Sequence, residues 1–184
     1  MSFSLPPRGV EVVLLALVFG AAVYDVRYRR IPNWLTVLGA ILGVALNTFL
    51  YPTWPGLLFS LKGLGLAFGA YFVLYALHAM GAGDVKLMAA VGSLVGWQNW
   101  FAIFAITAVL GGIMALIVVV VRKRLKTTLW NVGFIFNEMK SGRPAHLSRE
   151  ELDVRNPKAM GLPHGAVIAI GTLFFLAMTA HFTG

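Results

Sequence analysis

The chain has 184 residues, of which 59% are hydrophobic and only 12% charged, with a formal net charge of +8. A soluble domain carries about twice that charged fraction, so a single water-facing domain is excluded as the home for this much apolar surface. With no cysteine in the chain, disulfides, thiolate metal sites and cysteine nucleophiles are excluded as well.

A membrane-crossing helix needs roughly 20 mostly apolar residues. In chain order, apolar runs of that kind fall at 10–24, 34–50, 57–78, 100–121 and 162–182. A shorter run at 85–97 reads as a sixth span that stops short or starts in a cavity. The first run is not a cleaved signal, because its basic cluster follows the apolar stretch instead of preceding it. Open sheets leave unpaired backbone groups in lipid. The expected fold is therefore all-α: a polytopic bundle of about six transmembrane helices forming one integral-membrane domain over 1–184.

Thirteen of the 15 Lys and Arg residues lie in or beside three segments, 25–33, 79–84 and 122–161. The alternate connections at 51–56 and 98–99 carry none. Such a bias marks the cytoplasmic loops, with both termini outside, and it argues against nucleic acid as the partner of the positive charge. Arg8 and Lys62 are the exceptions; Lys62 can snorkel to the outer interface. Only the loop at 122–161 is long. Its mixture of Leu125, Trp130, Phe134, Ile135 and Phe136 with Lys126, Asn131, Asn137 and Lys140 fits a segment lying on anionic lipid of the inner leaflet. Ser148-Arg149-Glu150-Glu151 reads as a capping box opening a short helix.

Acidic residues at membrane depth are costly and tend to be functional. Outside the long loop there are three, Glu11, Asp25 and Asp84. Glu11 falls at the outer end of the first run and reads as an interfacial charge. Asp25 ends the first run within Tyr24-Asp25-Val26-Arg27-Tyr28-Arg29-Arg30-Ile31-Pro32-Asn33, and Asp84 opens the fourth within Gly81-Ala82-Gly83-Asp84-Val85-Lys86-Leu87. Two spans separate them, so both carboxylates return to the same leaflet boundary; lateral contact depends on packing. Two carboxyls that meet can divide the work, one ionised as general base and one protonated as general acid. By its own helix terminus Asp84 is the better base and Asp25 the better acid, although Arg27, Arg29 and Arg30 oppose the second assignment. Such a pair can direct water onto a peptide carbonyl without a metal. The plain alternatives are that Asp84 is only a helix cap and Asp25 only a partner for arginines. Gly81 and Gly83 favour the functional reading, since glycine permits positive φ and close approach of a substrate backbone. The histidines at 78, 146, 164 and 181 form no short-spaced ligand pair, so neither a metal nor another cofactor is expected.

At these residues the sequence resembles the prepilin peptidase family, membrane aspartic proteases with a Gly-x-Gly-Asp signature. Gly81-Ala82-Gly83-Asp84 with Lys86-Leu87-Met88 is similar to the family's second-aspartate motif. Asp25, the basic residues after it and Ile31-Pro32-Asn33 are similar to the first. The resemblance implies that Asp25 and Asp84 are the catalytic pair. It implies cleavage at the cytoplasmic face of the inner membrane, just before the hydrophobic helix of a type IV pilin-like precursor. The expected partners are thus a prepilin or pseudopilin precursor and membrane lipid. The chain starts almost at its first span and lacks the paired cysteines of longer members. It is therefore similar to the short, peptidase-only form of tight-adherence pilus systems, with no N-terminal methyltransferase domain expected. In Pro163-His164-Gly165-Ala166 it departs from longer members, which often carry a second proline there; His164 reads as a helix-start interfacial residue, with approach to the active site as the alternative.

Three other readings are set against this one. Two intramembrane aspartates suit a proton-coupled transporter component, although transporter sites favour the midplane. A basic loop suits a non-enzymatic platform for secretion or pilus assembly. A Gly-x-Gly-Asp protease cutting within helices, similar to presenilin, would differ in where it cuts.

Overall fold

The computed structural model describes residues 5–51, 53–77, 80–123 and 163–183, together with 125–126, 128, 130–131 and 133–134. Most of the 122–161 loop, including Ser148 and its capping box, lies outside the described residues. The described secondary structure is helical throughout, in the order α1 (Arg8–Tyr28), α2 (Asn33–Leu50), α3 (Thr53–Ala76), α4 (Ala82–Val121) and α5 (His164–Thr183). Each is long and apolar enough to cross a membrane, and the chain is a membrane protein.

The turns between helices follow from local chemistry. Helix α1 ends where Arg29 adopts a left-handed conformation, φ 55°, and donates its N–H to the Asp25 carbonyl at 2.9 Å. Pro32 then stands as N-cap of α2, because a residue that cannot continue one helix suits the entry to the next. The helix thus outruns the apolar run at 10–24, and Asp25 lies inside its last turns.

The greatest departure from the sequence reading concerns the runs at 85–97 and 100–121. They form two helical segments within α4 that meet at a kink, with no loop at 98–99. The interruption falls instead at Gly96, whose backbone is non-helical at φ 73° and ψ 172°. The helix partners reverse there. Before the break, Gly92 packs against Gly63 and Ala67, and Gly96 against Phe59, so α4 runs antiparallel to α3. After it, Trp100 and Phe104 return to meet Tyr71 edge-on, while Thr107 meets Gly171 and Gly111 meets Val167. The chain doubles back on itself.

That reversal frees backbone carbonyls in an apolar interior, where each needs a donor. Asn47 Nδ2 bonds the carbonyls of Ser93 at 2.9 Å and Leu94 at 3.1 Å, and Ser60 Oγ bonds that of Ser93 at 2.6 Å. Asn47 and Ser60 are fully buried. Close approach is set by glycine: a Cβ on Gly63 would lie 2.9 Å from the Gly92 carbonyl carbon. Small residues of this kind are how helices pack when lipid removes the hydrophobic drive between them. The core that results is centred on Leu14, Leu87, Met88, Leu94, Trp100 and Ile103.

Candidate active site

One end of the bundle gathers the loop between α1 and α2 and the first turns of α4 and α5. Asp25, in the last turns of α1, is 8% exposed. Its Oδ2 accepts the backbone N–H of Gly165 at 2.7 Å. Asp84, in the first turn of α4, is half-buried, and its Oδ2 accepts the N–H of Gly81 at 3.3 Å. Both line a cleft of about 690 Å³. The two sequence-predicted aspartates, distant in the chain, are thus brought together.

Each aspartate lies at a helix start. Asp84 faces the N-terminus of α4, and Asp25 faces the N-terminus of α5. An N-terminal turn carries unpaired N–H groups and a partial positive charge, so both carboxylates receive that influence.

Gly81 and Gly83 also line the cleft, but not through unusual backbone angles. Gly81 is extended at φ −81° and ψ 152°, and among the described glycines only Gly96 has positive φ. Gly83 belongs to α4 rather than to the loop before it. What these glycines provide is room. A Cβ on Gly83 would lie 3.3 Å from Cβ of Ile31, so the first turn of α4 can sit directly against the α1–α2 connection. Across the cleft Lys86 Nζ donates to Asn33 Oδ1 at 2.9 Å, joining the first turns of α2 and α4. Tyr24 meets Trp34 edge-on at 6.3 Å and lies 5.6 Å from Tyr28, forming an aromatic wall beside Asp25.

His164 opens α5 half-buried, next to the Gly165 that bonds Asp25. Gly165 went unnoticed in the sequence. Its only signal was its place two residues after Pro163, at a helix start whose N–H groups need partners. Among the described residues no three His, Asp or Glu side chains converge as metal ligands.

Paired carboxyls in a shared cleft can take a proton from water and give one to a leaving group. Compared with known proteins, the chain matches no curated protein and no solved structure. The family model of the type IV leader peptidases matches residues 12–116, more than half of the chain and a span that includes both aspartates. The chain belongs to the type IV leader peptidase family, and so is a membrane-embedded peptidase with prepilin-like substrates.

Proposed function

We propose that the protein is an aspartic endopeptidase of the inner membrane that removes the basic leader from type IV pilin-like precursors at the cytoplasmic face. The observation that carries this reading is the meeting of Asp25 and Asp84 in one cleft at the end of the bundle. Arg27, Arg29, Arg30, Lys86, Arg122 and Lys123 stand at the helix ends on that side, the charge pattern of a cytoplasmic boundary. Residues 82–95 make a helix roughly 21 Å long at about 1.5 Å per residue, less than the ~30 Å hydrocarbon core. Counted as a short span opening in the cleft, it brings the crossings to six, with both termini outside and 122–161 inside.

In this reading the apolar helix of the precursor lies against the bundle and its leader junction enters the cleft beside Gly81 and Gly83. One aspartate removes a proton from water as the water attacks the scissile carbonyl. The other protonates the departing amine, and neither metal nor covalent intermediate takes part. The test is turnover of a precursor in nanodiscs with purified enzyme. Asp25→Asn and Asp84→Asn each lose at least about 100-fold in kcat, the scale of a removed acid–base group, while still inserting and unfolding at the wild-type temperature. A single variant with near-normal turnover would refute the dyad. Wild-type enzyme that leaves the precursor uncut would refute the peptidase assignment to this substrate class.

A further inference from the structure

Helix α5 opens at Pro163, which has no N–H, and the Pro163 carbonyl accepts the N–H groups of Ala166 and Val167 at 3.1 and 3.2 Å. The N–H of Gly165 is left without a place in that first turn, as helix geometry requires. It is spent on Asp25 Oδ2, at 2.7 Å and buried. The contact tolerates little besides glycine. A Cβ at 165 would stand 3.1 Å from Asp25 Cβ, from Asp25 Oδ2 and from Ile31 Cδ1 together, so Asp25 or Ile31 would have to shift to admit it. Ile31 in turn reaches the other aspartate's neighbour, its Cβ lying 3.3 Å from where a Cβ on Gly83 would be. One side chain is therefore wedged between Gly165, which holds Asp25, and Gly83, which precedes Asp84.

From this we infer that Gly165 and Ile31 are positioning residues for the reaction: the Gly165 N–H sets the orientation of the Asp25 carboxyl, and the Ile31 side chain sets the gap between the first turns of α4 and α5. The inference rests on the aspartate dyad. It assigns a task to Pro163-His164-Gly165 and to Ile31-Pro32-Asn33 that neither segment's own chemistry reveals. A buried carboxylate offered one short backbone donor has few other rotamers that satisfy it, and a displacement of about 1 Å at a reacting group is enough to cost on the order of 100-fold in rate.

The test measures initial rates over a range of precursor concentrations with enzyme in nanodiscs, together with thermal unfolding. Gly165→Ala and Ile31→Ala lower kcat by at least about tenfold with KM within twofold, and Ile31→Val, which keeps the branched wedge, stays within threefold of wild type. A folded Gly165→Ala enzyme with wild-type kcat, or a loss confined to KM, overturns the inference. A second measurement needs no altered glycine. His164-Gly165 is the sole His-Gly step in the chain, so enzyme labelled with carbonyl-¹³C histidine and ¹⁵N glycine yields one correlated amide signal. That proton shifts in Asp25→Asn, where an amide replaces the carboxyl that accepts it, and shifts less in Asp84→Asn. An amide signal indifferent to Asp25→Asn also overturns the inference, even if Gly165→Ala fails to fold. Should Asp25→Asn retain full turnover, the dyad itself falls; should Asp25→Asn be inactive while Gly165→Ala is fully active, only the positioning role falls.

Discussion

Lys86 and Asn33 illustrate how a residue can matter little for stability and more for rate. Their hydrogen bond is exposed, and an exposed polar contact of a charged group contributes at most about 1 kcal/mol. Yet it joins the helix that carries Asp84 to the connection that follows Asp25. Lys86→Met and Asn33→Ala are expected to leave the unfolding temperature nearly unchanged and to lower kcat several-fold, on the order of 1 kcal/mol in the barrier. The double variant should be no slower than the slower single one. Rates that multiply would show two independent roles and would break the link drawn here between the residues. The glycines at 81 and 83 carry the same lesson from the other side. They act by what is missing from their Cα atoms, which a sequence presents only as a residue type.

At the scale of the element, α4 depends on a break that it cannot support alone. Gly96, at φ 73° and ψ 172°, occupies a region that is almost entirely glycine's, and a side chain there costs about 1–3 kcal/mol. A Cβ would also meet the Phe59 ring. Gly96→Ala is therefore expected to lower the thermal midpoint markedly in detergent, whereas Gly112→Ala, at a glycine with open space around it, should not. Donors matter equally. Asn47→Leu leaves the Leu94 carbonyl without its side-chain partner, at a cost of about 1–3 kcal/mol, while Ser93 keeps Ser60. Ser60→Ala leaves Ser93 bonded to Asn47. Thermal unfolding of the two variants should show Asn47→Leu as the more damaging; the reverse order would mean that the break is held by other contacts.

The whole molecule has a direction in the membrane, and that direction decides which compartment the cleft meets. The proposed arrangement has termini outside and basic segments inside. Single cysteines placed at Tyr51 and Thr183 should react with an impermeant thiol reagent in cells whose outer membrane is permeabilised. Cysteines at Arg30 and Lys123 should react only after the inner membrane is opened. The chain's lack of native cysteine makes this readout clean. The opposite pattern would turn the cleft outward and overturn cleavage at the cytoplasmic face, without touching the family assignment.

The sequence by itself determined the helical membrane class and the family, and it pointed to the two aspartates proposed as the dyad, because each of these signals is local. Apolar runs of spanning length record a solvent, the clustering of Lys and Arg is the basis of the proposed side, and Gly-x-Gly-Asp places a carboxyl at a helix start. Even the nearness in depth of Asp25 and Asp84 was legible, since an even number of crossings returns a chain to one boundary. Tertiary packing alone decided the rest. Whether the carboxylates share a cleft depends on how α1, α4 and α5 meet sideways, which no periodicity encodes. The turn in α4 moved from 98–99 to Gly96 because Asn47 and Ser60, contributed by α2 and α3, satisfy the carbonyls that the break exposes. Gly165 came to hold Asp25 because a first-turn N–H must find an acceptor, and the acceptor that packing supplies lies 140 positions away in the chain.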